Sequence, residues 1–244
     1  MPYSIEVNEP LPHVAQVCFS DRERENQLCW GAVDELAEKL EDCRQRGCRV
    51  IILTSGLAGH WLEHAWLADL HSGVTGGDQT GSGIGWFNAQ QELTHEDVIS
   101  IAAISGDSSG GGSELGWACD LRIAEVQARF SQPEINMGLT TGIGGCSRLS
   151  RLAGRATAAE MVYTGRPLSA DRLYQLGAIN QVVKEGTSVA TALEIAERLA
   201  QKSHEALRGL KRILCEGAQM PLSSALELEQ SVFQSVVCLL YTSP

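Results

Sequence analysis

Three consecutive glycines, Gly110 to Gly112, constrain this chain most, because they stand between an apolar run and a helical pattern. The run from Val98 to Ile104 has the length and apolar character of a buried strand. Glycines at such a junction leave backbone N–H groups unpaired at the start of the helix, where the helix dipole adds positive charge. The junction therefore predicts a turn that stabilises a negatively charged oxygen, although glycine runs also occur in ordinary tight turns.

Two glutamates accompany this turn. Glu114 follows Gly112 by two residues, which predicts a place in the first turn of the helix, and Glu134 follows a short strand and Pro133. An acid and a base that flank one substrate can add or remove the elements of water. For Glu114 alone, a glutamate favoured by the helix dipole is the simpler interpretation. The pair, taken together with the glycines, favours catalysis.

Several other ligand classes are excluded by pattern. The chain has neither a GxGxxG between a strand and a helix nor a Walker GxxxxGK[ST] sequence. Its 19 basic and 30 acidic residues give a net charge of −11, which opposes binding to nucleic acid or anionic membrane. Its eight cysteines have neither CxxC nor zinc-finger spacing. We therefore expect no metal site, and buried free thiols in a reducing compartment.

The expected location is the cytoplasm. No apolar run approaches the ~20 residues that span a bilayer, and the N-terminus lacks the pattern of a secretory signal. The basic residues Arg148, Arg151 and Arg155 have two interpretations of similar weight: contacts to an anionic ligand such as coenzyme A, or a solvated helix face.

The periodicity predicts an α/β core over residues 1–185 and a helical region over residues 186–244. In the core, short buried strands such as residues 49–54 alternate with helices such as residues 30–46. Residues 71–87 contain six glycines and too few apolar residues to hold one conformation alone. This stretch is a mobile lid or a long surface loop, and its length in a compact domain favours a functional role. Ser169 is expected to cap a helix.

These motifs, in this order and spacing, resemble the enoyl-CoA hydratase/isomerase (crotonase) family from about residue 14 to 230. The matching text includes Ala102-Ala103-Ile104-Ser105-Gly106, Gly110-Gly111-Gly112-Ser113-Glu114-Leu115, Phe130-Ser131-Gln132-Pro133-Glu134-Ile135 and Gly142-Ile143-Gly144-Gly145. The resemblance implies an α/β fold with a ββα-spiral core and a C-terminal helical region at subunit contacts. It also implies a homotrimer or homohexamer.

The resemblance also implies the site. Backbone N–H groups of Ala65 and Gly111 would form an oxyanion hole for a thioester carbonyl, with Glu114 and Glu134 as catalytic residues. The substrate would lie against three further residues, Gly110, Gly142 and Trp66. No metal or redox cofactor is implied, and coenzyme A enters only as part of the substrate.

Hydratases of the family keep both glutamates, whereas isomerases and other branches commonly keep one or neither. The implied function is therefore an enoyl-CoA hydratase, which adds water across the 2,3 double bond of a 2-enoyl thioester. The alternatives are an isomerase, a dehydratase acting on carrier-protein-bound acyl chains, and a weakly catalytic subunit that binds acyl thioesters.

The chain departs from the family pattern at three places. His64 and Trp66 flank the first oxyanion donor where the family has Gly and Asp, and we interpret His64 as structural. Thr141 stands where a proline usually precedes the glycine. The family continues through another helical segment where this chain stops at Pro244, so the helical region is expected to be shortened and the coenzyme A site altered.

Overall fold

A computed structural model describes the backbone of residues 2–242 and the side chains as far as Cys238. The strands within this range are β1 (Tyr3–Leu11), β2 (Val14–Asp21), β3 (Val50–Ser55), β4 (Gly59–His60), β5 (Ile99–Ile104), β6 (Gly106–Ser109), β7 (Leu121–Glu125), β8 (Arg129–Ser131), β9 (Leu168–Ser169) and β10 (Gln181–Val183). The helices are α1 (Trp30–Gln45), α2 (Leu67–Thr75), α3 (Gly85–Thr94), α4 (Gly110–Ala118), α5 (Ser147–Ala153), α6 (Arg155–Thr164), α7 (Ala170–Gln175), α8 (Ser188–Ala200), α9 (His204–Gly217) and α10 (Leu222–Thr242), with a 3-10 helix at Pro133–Met137.

Six strands form the larger sheet in the order β1-β2-β3-β5-β7-β10. The β1–β2 pair is antiparallel and the remaining neighbours are parallel. Parallel strands need crossover connections, and helices on the faces then bury the sheet. This explains why β3 is an almost continuous apolar run, Val-Ile-Ile-Leu-Thr-Ser, whose first five residues are all buried.

The two faces of the larger sheet lie in two separate apolar cores. On one face, Ile51 and Leu53 of β3 join a core with α1, α3 and α4. On the other face, Val50 and Ile52 pack with Ala192 and Ala196 of α8. Alternate residues of a strand point to opposite faces, so one short strand supplies both cores.

A second, four-stranded sheet in the order β4-β6-β8-β9 gathers the loops that form the site. Parallel pairing sets β4 beside β6 and β6 beside β8. The chain leaves β6 directly into α4 and leaves β8 into the 3-10 helix. Because these strands run the same way, the segment after β4, the glycines of α4 and the 3-10 helix meet at one end of this sheet.

The structure confirms the strand and helix pattern and the cap at Ser169, whose Oγ accepts the N–H of Arg172. Two expectations need correction. Helix α4 begins at Gly110, so Glu114 is its fifth residue and lies just beyond the first turn. The stretch at 71–87 is also not one loop, because α2 continues to Thr75 and α3 begins at Gly85.

The loop between α2 and α3 is held by two carboxylates. Asp69 accepts the N–H and the hydroxyl of Thr80 at 3.0 and 2.6 Å. Asp34 accepts the N–H of Ser82 at 2.6 Å and that of Gly85 at 2.8 Å. The loop is therefore fastened to the start of α1 and α2, and the contacts do not support a freely mobile lid.

The C-terminal helices are attached in different ways. Helix α8 covers the larger sheet, as described above, whereas α9 is anchored by the buried Lys211. The Lys211 ammonium donates to the carbonyls of Leu93 and Val98 and to Asp120, at 2.6 to 3.0 Å. No helix within residues 2–242 is long and apolar enough to cross a bilayer.

The cysteines differ from the expectation in exposure. Cys29, Cys43 and Cys119 are buried free thiols, as predicted. Cys146 and Cys215, in contrast, are exposed free thiols.

Candidate active site

A cavity of about 300 Å³ opens among the segment after β4, the start of α4 and the 3-10 helix. Its walls are mostly apolar, with two carboxylates and backbone groups among them. The lining residues are His64, Ala65, Leu67, Leu70, Trp86, Gly111, Glu114, Glu134, Met137, Leu139, Thr140, Gly142 and Ile143. An apolar cavity with a few convergent polar groups is typical of a small-molecule site.

The cavity contains two backbone N–H groups suited to an oxyanion. Ala65 pairs with Leu28 in an isolated parallel bridge, in which Leu28 bonds to the residues on either side of Ala65. The Ala65 N–H therefore points away from Leu28. Gly111 is the second residue of α4, where a helix has no internal acceptor for the N–H. Among the described residues, neither N–H donates to a protein acceptor.

Each glycine of the run is required by a close contact. Gly110 has a φ of +47°, and a Cβ there would lie 2.8 Å from Cβ of His64. A Cβ at Gly111 would lie 2.6 Å from the ring of Trp86. The tightest contact is at Gly112, where a Cβ would lie 2.1 Å from the carbonyl oxygen of Leu62. The run therefore lets α4 begin directly against the loop that carries Ala65.

Glu114 is buried, and its carboxylate faces the turn at residues 142–145. Its Oε1 accepts the N–H of Ile143 at 3.0 Å and that of Gly145 at 2.6 Å. Burial raises the pKa of Glu114 because it removes water from the charged form. The N–H groups of Gly145, Ile143 and Gly144, and the charge of Arg148, act in the opposite direction and favour the carboxylate.

Glu134 is the second residue of the 3-10 helix and is only partly buried. Burial raises its pKa from the ordinary 4.5 to about 7, and the negative charge of Glu114 adds to this rise. With its amide oriented to satisfy both neighbours, Gln132 donates to Oε1 of Glu134 at 2.9 Å and accepts from the indole of Trp117 at 3.1 Å. Near neutral pH, Glu134 therefore exchanges a proton easily.

The structure brings most of the predicted site residues together. Ala65, Gly111, Glu114, Glu134 and Gly142 all line the cavity.

Gly110 and Trp66 lie outside this lining. Gly110 lies next to Glu134, because a Cβ on it would be 3.3 Å from Oε1 of Glu134. Trp66 precedes α2, and its ring lies under the guanidinium of Arg24, 5.2 Å from the ring centroid.

Three further residues differ from or extend the expectations. His64 lines the cavity, and its Nδ1 lies 2.9 Å from the carbonyl oxygen of Ala65. Arg148 points inwards to Gln90 and Ile143 instead of forming one face with Arg151, whose guanidinium bonds to its own helix. Within the described part of the chain, no group of three or more His, Cys, Asp or Glu side chains is arranged to hold a metal ion.

Sequence reasoning missed Trp86, Gln90 and Gln132. Gln132 stands two residues before Glu134 in the family motif, so its position could have indicated a contact with that glutamate. Trp86 and Gln90 lie on α3, more than twenty residues from either glutamate along the chain. Nothing in the local pattern of α3 indicates that it faces the cavity.

The chain matches the sequence model of the enoyl-CoA hydratase/isomerase family over residues 11–238. It is 38% identical over 142 residues to a short-chain-enoyl-CoA hydratase of Clostridium acetobutylicum, a match that covers 58% of this chain and 54% of that protein. A crotonyl-CoA hydratase of Syntrophomonas wolfei is 38% identical over 133 residues, covering 54% of this chain and 51% of the relative. The chain thus spans about half the length of these relatives.

Longer matches also exist. A mitochondrial enoyl-CoA hydratase of Pongo abelii is 32% identical over 211 residues, which cover 86% of this chain and 71% of that protein. Among solved structures, an enoyl-CoA hydratase from Bacillus anthracis superposes with a TM-score of 0.85 at 30% identity, covering 96% of this chain and 90% of that one. The superposition confirms the predicted crotonase-like α/β fold.

Proposed function

Because the chain belongs to the enoyl-CoA hydratase/isomerase family, we propose that it is an enoyl-CoA hydratase, which adds water across the 2,3 double bond of a 2-enoyl-CoA. One observation carries this proposal: two carboxylates and two unpaired backbone N–H groups line the same cavity. The N–H groups of Ala65 and Gly111 suit a thioester oxygen, and Glu114 and Glu134 suit a water molecule and the reacting carbons.

The proposed reaction passes through an enolate-like state. The thioester oxygen, held by Ala65 and Gly111, takes up negative charge as water adds to C3. Backbone donors aimed at such an oxygen stabilise the transition state, and losing one typically costs ~3 kcal/mol. A proton then reaches C2 and restores the thioester carbonyl. The product is a 3-hydroxyacyl-CoA.

The environments of the glutamates suggest how they divide the proton transfers. Burial raises the pKa of Glu114, but backbone N–H groups and Arg148 favour its carboxylate form, and we assign it as the base that takes a proton from water. Glu134, with a pKa raised to about 7, holds a proton near neutral pH, so we assign it as the acid that supplies C2. Proton exchange with solvent then restores both groups.

The experiment that tests the proposal is the loss of the conjugated-thioester absorbance of crotonyl-CoA, followed with the wild type, Glu114→Gln and Glu134→Gln. We expect rapid hydration by the wild type and a loss of about 10²–10⁴-fold in each variant, the usual contribution of a general acid or base. Binding of crotonyl-CoA without turnover by the wild type would reject the hydratase proposal.

The same measurement separates the alternatives. An isomerase would move the double bond of a 3-enoyl-CoA without losing it, and would need fewer than two carboxylates. A weakly catalytic binding subunit would bind acyl-CoA with little turnover. In such a subunit, Glu114→Gln and Glu134→Gln would leave binding unchanged. The presence of both carboxylates in one cavity favours hydration over these two.

We propose short 2-enoyl chains carried by coenzyme A as the substrates. A cavity of about 300 Å³ is at the small end of the range for ligand sites. The relatives named above act, by name, on short-chain enoyl-CoA and crotonyl-CoA, which favours coenzyme A over a carrier protein. A fall in kcat/KM from crotonyl-CoA to decenoyl-CoA would support this choice, and a rise would contradict it.

We also propose that copies of the chain associate as trimers or hexamers through α9 and α10, in a cytoplasmic location. An apolar groove runs between these helices, and Leu210, Leu226 and Phe233 line it with more than half of each side chain exposed. Exposed apolar patches of this kind mark association sites. Light scattering after gel filtration should give a multiple of the 26.3 kDa chain mass, and Phe233→Glu should lower it.

A further inference from the structure

The peptide group between Ile143 and Gly144 lies between Glu114 on one side and the side chains of Gln90 and Arg148 on the other. Its N–H, on Gly144, favours the carboxylate of Glu114, alongside the N–H groups of Ile143 and Gly145. Its C=O, on Ile143, points to the opposite side and accepts hydrogen bonds there. Because the N–H and C=O of one peptide group are rigidly opposed, whatever holds the C=O also aims the N–H.

Two side chains from different helices hold that carbonyl. Arg148 of α5 donates from Nη1 to the Ile143 oxygen at 2.9 Å, and Gln90 of α3 donates from Nε2 to the same oxygen. The two side chains also bond to each other, because Arg148 Nη1 donates to Oε1 of Gln90 at 2.7 Å. The three groups form a closed triangle. Gln90 is buried and Arg148 is half-buried, so water competes poorly for these bonds.

The turn at residues 142–145 has few side chains of its own that could order it. Three of its four residues are glycines, which lack side chains to pack, and Gly144 has a φ of +142°. A Cβ at Gly144 would lie 3.0 Å from Nη1 of Arg148, so the guanidinium also packs directly on this backbone. Glycines gain conformational freedom readily, so bonds to the Ile143 oxygen are an effective way to order the turn.

We propose that Gln90 and Arg148 are positioning residues, which aim the N–H groups of residues 143–145 at Glu114 and thereby keep that carboxylate ready to act. The proposal adds detail to the hydratase function proposed above. Its predicted effect on kcat rests on that function. The arrangement of Glu114 itself does not depend on that function, so the two can be tested apart.

Three charged or titratable side chains lie around the cavity with Glu114. Arg148 faces it from α5 and stabilises its charge, and Glu134 opposes that charge from the 3-10 helix. His64 lies on the cavity wall, on the segment after β4. Removing the guanidinium, or releasing the turn, therefore raises the pKa of Glu114.

The experiment is an infrared titration of the protonated-carboxyl band that Glu114→Gln removes. The test variants are Gln90→Leu and Arg148→Met, which keep size but remove the donors. The controls are Gln91→Leu on α3 and Arg151→Met on α5, whose side chains do not contact the turn. We expect the Glu114 transition to move upward by about one pH unit in Arg148→Met and by less in Gln90→Leu, and to stay in place in both controls.

Kinetics give a second, independent result. In Gln90→Leu, kcat for crotonyl-CoA should fall about tenfold with KM nearly unchanged, since a misplaced group affects the transition state more than binding. Arg148→Lys, which keeps the charge, should recover part of the activity lost in Arg148→Met. A thermal melt of each variant shows whether it is folded.

The outcomes separate the two proposals. Unchanged Glu114 titration in both folded test variants would overturn the positioning role. If Arg148→Met does not fold, Gln90→Leu alone decides it. A wild type that fails to hydrate crotonyl-CoA, while the Glu114 transition still moves in the test variants, would reject the hydratase function and uphold the positioning role.

Discussion

The two carboxylates of the cavity lie in opposite kinds of environment. Glu114 comes from a regular helix, is buried, and faces three backbone N–H groups and an arginine. Glu134 comes from a short 3-10 helix and is partly exposed, and both its burial and the charge of Glu114 raise its pKa. Burial raises the pKa of both glutamates, and only at Glu114 do backbone N–H groups and an arginine oppose that rise. Surroundings that differ in this way allow one site to hold an acid and a base at the same pH.

The largest effect should come from removing both carboxylates. If Glu114 and Glu134 act on the same water and substrate, the double variant Glu114→Gln/Glu134→Gln should lose little more than the worse single variant, because groups that act as a unit are not additive. Crotonyl-CoA hydration rates of the two singles and the double test this. Losses that multiply would show that the two glutamates act independently.

The pH dependence distinguishes the acid from the base. Since Glu134 must carry a proton to supply C2, kcat should decline about tenfold per pH unit above pH 7, in line with its pKa of about 7. A rate that stays level to pH 9 would contradict the assignment.

An infrared titration tests how far the charge of Glu114 raises the pKa of Glu134. In Glu114→Gln the pKa of Glu134 should fall part of the way towards 4.5, because burial remains when the neighbouring charge is gone.

A pair of glycine substitutions tests the turn that faces Glu114. A Cβ at Gly145 would lie 2.6 Å from Cγ2 of Thr141, whereas a Cβ at Gly142 would have no neighbour within 4 Å. Gly145→Ala should therefore lower the free energy of unfolding by about 1–3 kcal/mol through crowding. Gly142→Ala should change it by less than about 0.5 kcal/mol. Equal effects in urea unfolding would show that the turn adapts freely.

The last prediction concerns how the free energy of unfolding depends on pH through Glu134. Its pKa is about 7 in the folded protein against an ordinary 4.5, so between these values the folded state keeps a proton that the unfolded state has released. Stability from this group is present at low pH and is lost as the pH rises through 7. Glu134→Gln should therefore be more stable than the wild type at pH 8, by about 1–2 kcal/mol after allowance for partial exposure.

Urea unfolding at pH 4.5 and pH 8, at one protein concentration, measures this difference. Glu197→Gln, on the exposed side of α8, is the matched control and should show no such dependence. A Glu134→Gln variant that is less stable than the wild type at pH 8 would contradict the raised pKa.

Local sequence patterns were enough to predict many of the strands and helices. The strand before the glycines and the two carboxylates were predictable because each depends on a few neighbouring residues. Helix α2 was missed in part because Gly73 and polar residues weaken its pattern. The inward direction of Arg148 and the roles of Trp86 and Gln90 depend on contacts between segments far apart in the chain. No helical or strand periodicity reports such contacts.

Helix α8 has a consequence for synthesis of the chain. It covers Val50, Ile52 and Ile101 of the larger sheet, yet it is made after every strand of that sheet. During translation, which proceeds at about 5–20 residues per second, the larger sheet can be complete while one apolar face is still in water. A nascent chain that stalls before residue 188 would therefore expose a ready surface for aggregation or for a chaperone, and pulse-chase aggregation of ribosome-stalled chains would measure it.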